Sequence, residues 1–107
     1  MANIPIALEL YSVRNELVED TAGTLKAVAE MGYVGVEFAG HPNNTAQELR
    51  TLLDDLGIVC CGWHTPIDSV QDNKLSETIE FNQILGNSNI IIPGIPQHMR
   101  ETREDWL

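Results

Sequence analysis

Three helices in this sequence end on the same punctuation. Met31-Gly32, Leu56-Gly57 and Leu85-Gly86 each close an apolar stretch at helical spacing, and a short apolar run follows shortly after each. Glycine suits the left-handed position that terminates a helix. A unit of helix, glycine and strand, used three times over, implies strands joined by single helices. Such strands pair in parallel through right-handed crossovers. The order is strand-helix-strand-helix-strand-helix-strand.

In chain order, Ile4 to Tyr11 is the first predicted strand, with Ile6, Leu8 and Leu10 on one face and Ala7, Glu9 and Tyr11 on the other. Ser12 to Glu19 holds a helical turn. Asp20 or Thr21 caps a helix whose apolar stripe is Leu25, Val28 and Ala29. Val34 to Phe38 is the second strand, and it ends on a carboxylate-bearing face with Gly35 and Glu37 in phase. After a loop over 39–44, Thr45 and Glu48 have capping-box spacing ahead of Leu49, Leu52, Leu53 and Leu56. Ile58 to His64 is the third strand. Alternation puts Val59, Cys61 and Trp63 on one face, and Cys60, Gly62 and His64 on the other. A helix over Lys74 to Leu85 leads to a fourth strand, Asn89 to Ile92, cut by Pro93-Gly94. Thr102 and Asp105 are spaced to cap one more helix.

Two parallel architectures fit this order, an open doubly wound sheet and part of a (β/α)8 barrel. Open sheets bury both strand faces under helices and read as continuous apolar runs. Here one face of each early strand is bulky and apolar. The other is small and then polar: Ala7 then Glu9 and Tyr11, Gly35 then Glu37, Cys60 and Gly62 then His64. That is the pattern of a barrel lumen rising to its C-terminal mouth, where such folds place their chemistry. Neither GxGxxG nor GxxxxGK[ST] is present. A complete barrel takes about 250 residues, so residues 1–107 are read as one partial barrel: four parallel strands with alternating helices, the N-terminal half of a TIM barrel.

With 16 acidic and 6 basic residues, the net charge is −10. That disfavours nucleic acid and anionic membranes, both of which call for a basic surface. The two cysteines, Cys60 and Cys61, are adjacent, and strand neighbours point apart, so reduced core thiols in a cytoplasmic protein are expected. The N-terminal residues lack a signal-peptide pattern, and no apolar run approaches the ~18 residues of a membrane span.

Four motifs in order then resemble one family. Leu8 to Arg14 (LELYSVR), Gly32 to Glu37 (GYVGVE), His64-Thr65-Pro66 and Ile92-Pro93-Gly94 together look like the N-terminal half of the sugar phosphate isomerase/epimerase family. These are the xylose isomerase-like TIM barrels, related to the endonuclease IV type. The resemblance implies a sugar or sugar phosphate as substrate and proton transfer next to a carbonyl. Glu37 would accept a hydrogen bond from a sugar hydroxyl, and His64 would contact substrate. Glu9 and Tyr11 would line the same mouth, although many members of that family carry glutamine where Glu9 stands. Where the endonucleases carry a histidine before Pro-Gly, this chain has Ile92, which with the net charge counts against DNA repair. His41 and His98 fall in loops after the second and fourth strands.

The resemblance also implies a divalent metal (Mn, Mg, Co or Zn), held in the family by Glu, Asp, His and Glu on later strands. On that expectation this chain carries no metal ligand and no catalytic residue of its own. Two carboxylates and a histidine at one mouth do not make a metal site without geometry. Four strands cannot close a barrel, so the expectation is a fragment of a metal-dependent sugar isomerase or epimerase, inactive alone. Closure would come from a C-terminal half-barrel or a second copy. The alternatives are a non-catalytic carbohydrate-binding or assembly half-barrel, and an open flavodoxin-like domain, which would carry helices on both faces of its sheet.

Overall fold

The computed structural model describes residues 4–40 and 43–107. Four strands form one parallel sheet in the sequential order β1-β2-β3-β4: β1 Ala7–Glu9, β2 Gly35–Ala39, β3 Val59–His64 and β4 Ile90–Ile91. The α-helices are α1 Arg14–Glu19, α2 Thr21–Glu30, α3 Ala46–Leu56 and α4 Lys74–Leu85. Leu17, Leu25, Val28, Leu49, Leu53 and Leu85 from these helices join Val36, Phe38, Cys60 and Trp63 from the strands in one buried cluster. The helices therefore cover one face of the sheet. A doubly wound arrangement is overturned, and the architecture is half of a TIM barrel, with its lumen face open.

Local chemistry explains the helix limits. Asp20 caps α2 by accepting the Gly23 N–H at 3.0 Å. Thr45 and Glu48 form the reciprocal box at the start of α3: Thr45 N donates to Glu48 Oε2 at 3.0 Å, and Glu48 N donates to Thr45 Oγ1 at 3.1 Å. At the far end of α3 the chain turns at Gly57 with φ 69°, a conformation that costs a side-chain-bearing residue 1–2 kcal/mol by order of magnitude. Above the sheet, Phe38 stacks on Trp63 with centroids 4.5 Å apart, and Trp63 meets the edge of Phe81 at 5.2 Å. Trp63 thus packs under the helices, as its phase implies.

Two expectations are corrected. The first strand does not run from Ile4 to Tyr11. The Glu9 carboxylate accepts the Tyr11 N–H at 3.1 Å and caps a 3-10 turn over Leu10–Val13, which takes the backbone out of the sheet after Glu9. The third strand does not alternate throughout. Val36 pairs with Cys60 and Glu37 with Gly62, so Cys61 is an extra residue in a bulge. The bulge leaves Cys61 exposed rather than in the core, and its thiol donates to the Val36 carbonyl at 3.4 Å. An extra residue reverses the phase of everything before it. Val59 therefore faces the lumen, 62% exposed, and Cys60 is buried among the helices. Beyond the bulge, Gly62 and His64 keep the lumen phase and Trp63 the helix phase.

Removing the α3 cap with Thr45→Ala is expected to lower unfolding stability by about 1 kcal/mol, read from urea denaturation. Burial pushes the Cys60 thiol up from 9.0 to about 12. The folded state thus holds that proton more tightly, and the contribution is intact below pH 9 and lost as pH rises toward about 12. The midpoint of thermal unfolding should fall across this alkaline window, and Cys60→Ala should flatten that fall.

Candidate functional site

The site begins with register. Parallel strands lie about 4.8 Å apart, and Glu9 of β1 sits directly opposite Glu37 of β2. Across the other edge of β2, Glu37 faces Gly62, which has no side chain. A Cβ at position 62 would lie 3.0 Å from Glu37 Oε2, 3.2 Å from Glu37 Cγ and 3.1 Å from Ile91 Cδ1. The Glu37 side chain occupies the space that glycine leaves. His64, two residues on, reaches back over the same gap, and its Nε2 meets Glu37 Oε1 at 2.7 Å. Beneath this layer the lumen floor is small. A Cβ at Gly35 would lie 3.5 Å from Ala7 Cβ and 3.0 Å from the Val59 carbonyl.

Glu9, Glu37 and His64 thus converge from three adjacent strands. One ligand-type atom from each lies within 4.8 Å of the other two. All three are half-buried. Among the described residues, no lysine or arginine pairs with either carboxylate. The chemistry of this set fits a divalent cation: two anionic oxygens, one imidazole nitrogen, and a glycine cradle that leaves room for them. Without a cation, the Glu37–His64 hydrogen bond offers a carboxylate and an imidazole that can share a proton.

Tyr11 stands outside this cluster. It sits on the 3-10 turn, 57% exposed, with the Arg14 guanidinium 4.1 Å above its ring. Arg14 Nη1 also donates to the Tyr11 carbonyl at 2.8 Å. Tyr11, Arg14, His64, Thr65 and Pro93 border one hollow of about 760 Å³ at the C-terminal mouth. His64 belongs to both the hollow and the cluster and links them. His98 is exposed in the C-terminal turns beside Asp105, away from the cluster. Backbone N–H donation from Thr102 holds the Asp105 carboxyl below its usual range. His41 lies outside the described residues.

Sequence reasoning missed two groups. Arg14 is a cation at the mouth, and its signal was the Tyr11-x-x-Arg14 spacing, which stacks the pair on one turn. Cys61 reaches the lumen side through the bulge, where burial and then the Glu37 charge hold its thiol above the usual range. No alternation pattern could reveal that.

Gly62→Ala is expected to push Glu37 away from His64. The Nε2 nitrogen resonance of His64 should move to match that in Glu37→Gln, with far-UV dichroism unchanged. An unmoved resonance would show that the glycine is not what permits the pair.

No family model matches the sequence, and no curated protein matches it. Solved structures do. A sugar phosphate isomerase/epimerase from Parabacteroides distasonis matches with TM-score 0.64 and 22% identity, over 90% of this chain and 41% of that one. A xylose isomerase-like TIM barrel/4-hydroxyphenylpyruvate dioxygenase fusion protein matches with TM-score 0.66 and 20% identity, over 83% of this chain and 16% of its own. An AP endonuclease, family 2, from Brucella melitensis matches with TM-score 0.65 and 15% identity, over 89% and 45%. At these identities the likeness speaks for the fold. The chain spans less than half the length of each of these structures. These neighbours share the TIM-barrel fold read from the sequence, and the chain matches part of each.

Proposed function

We propose that this chain supplies the first half of a sugar or sugar phosphate isomerase/epimerase site, acting as the substrate-binding wall. One observation carries the reading: His64 Nε2 and Glu37 Oε1 lie 2.7 Å apart at the lumen mouth, with Glu9 beside them. Carboxylates accept hydrogen bonds from hydroxyls, and each such charge-assisted bond is worth about 1.5–3 kcal/mol. A polyol presented to Glu9 and Glu37 would be held by its hydroxyls, while the imidazole orients Glu37. Tyr11 would lie along the outer rim, with Arg14 the nearby cation toward which an anionic end would turn.

The carboxylate pair that moves a proton beside the carbonyl would come from the complementary half of the barrel. So would the divalent metal expected there, which when bound polarises the substrate oxygens. A C-terminal half-barrel or a second copy would close the lumen. A cytoplasmic setting belongs to the same proposal, supported by two free cysteines. Among the described residues, no helix is long and apolar enough to cross a membrane. A second reading, a non-catalytic carbohydrate-binding or assembly half-barrel, draws support from Val59, which is 62% exposed on the lumen floor where a partner would cover it.

Saturation-transfer NMR with ketoses tests the binding wall directly on the 107-residue chain. Glu37→Gln and His64→Gln should each weaken binding roughly tenfold, from the loss of one charge-assisted hydrogen bond. Equal binding by parent and both variants would refute the wall. Deuterium wash-in beside the carbonyl, assayed on a closed barrel, would then separate the enzyme from the non-catalytic module.

A further inference from the structure

We propose that Glu9, Glu37 and His64 form a divalent transition-metal site carried wholly by this chain, separate from any metal held by later strands. The inference rests on the lumen geometry and does not depend on the sugar reading.

Geometry is the first argument. One donor atom from each residue lies within 4.8 Å of the other two. Metal–ligand bonds near 2.1 Å put neighbouring ligands about 3.0–3.4 Å apart and opposite ones about 4.2 Å apart. The three groups therefore need only small side-chain rotations. The His64–Glu37 contact of 2.7 Å is a hydrogen bond. A metal ion would replace its proton and ease the two atoms slightly apart.

Charge is the second. Two carboxylates with a neutral imidazole balance a dication, and no basic side chain among the described residues competes for either carboxylate. The third is support around the ligands. Glu9 Oε1 is steadied by the Tyr11 N–H at 3.1 Å, the kind of outer contact that orients a ligating carboxylate. Gly62 keeps the space open, as a Cβ there would meet Glu37 Oε2 at 3.0 Å.

The donor set also selects the ion. Imidazole with two carboxylates suits Mn²⁺, Co²⁺ or Zn²⁺ better than Mg²⁺ or Ca²⁺, which favour all-oxygen shells. Three protein ligands facing an open lumen leave positions for water or for the oxygens of a hydroxylated ligand, as in catalytic rather than structural sites. Cys61 is not a fourth ligand in this reading, because its thiol is turned to the Val36 carbonyl at 3.4 Å.

Co²⁺ titration of the full chain tests the site, followed by d–d absorption and by hyperfine-shifted imidazole proton resonances. The expected result is one ion per chain with one shifted ring N–H signal. Glu37→Gln and His64→Gln should each weaken binding at least roughly 100-fold, since outer partners alone are worth about 10–100-fold. Glu80→Gln, an exposed carboxylate on α4, should leave binding unchanged. Diffuse binding to the acidic surface would leave the three variants alike and overturn the proposal. So would absence of the shifted imidazole signal in the parent, whatever the variants do. Ketose binding is read without metal, so failure of one proposal does not entail failure of the other.

Discussion

The contact on which the site depends is the pairing of β2 with β3 across a single extra residue. Below Cys61 the pairing places Val36 and Cys60 together under the helices. Above it, Glu37 meets Gly62 in the lumen. Without the bulge, the strand could not bury Cys60 and also aim both Gly62 and His64 at the lumen, because strict alternation puts residues 60, 62 and 64 on one face. The Cys61 thiol, bonded to the Val36 carbonyl, occupies a backbone acceptor at the point where the ladder is disrupted. One local irregularity thus serves the core on one side and the site on the other.

Glycine 62 is the second half of the same device. Register brings Glu37 and position 62 face to face, where two ordinary side chains would exclude one another. With no Cβ there, Glu37 fills the gap and His64 leans back to reach it. Glu9 arrives by register from the opposite strand and is tied down by a turn that it caps itself. Three strands contribute one group each. Strand pairing rather than loop conformation fixes the spacing, which is how a preorganised site is best built.

Much of this was legible in the sequence, and the remainder has physical reasons for being hidden. The glycine-terminated helices, the Thr45–Glu48 box and the lumen phase of Glu9 and Glu37 follow from local chemistry and period-two alternation. The early end of the first strand was not legible, because it turns on whether the Glu9 carboxylate finds the Tyr11 N–H or stays in the lumen. It does the first while remaining close to Glu37 and His64. The bulge left no mark either, since two adjacent cysteines fit either face. The meeting of Glu9, Glu37 and His64 required interstrand register, which alternation within each strand does not contain.

Electrostatics decides what such a meeting can be for. Two ionised carboxylates within 4.8 Å repel by about 1 kcal/mol in water and about 3–4 kcal/mol at the effective dielectric of a protein surface. A chain of net charge −10 adds to that repulsion. Core packing supplies no reason to bring them together, because the lumen face lies opposite the buried cluster. The cost is offset only by something positive or hydrogen-donating in the gap. The imidazole of His64 answers part of it at Glu37, and the Tyr11 N–H part of it at Glu9. A polyol would answer it with hydroxyl protons, and a dication would neutralise both carboxylates at once. These occupants are compatible, because an ion on three protein ligands retains open positions toward the lumen, where hydroxyl oxygens can complete its shell.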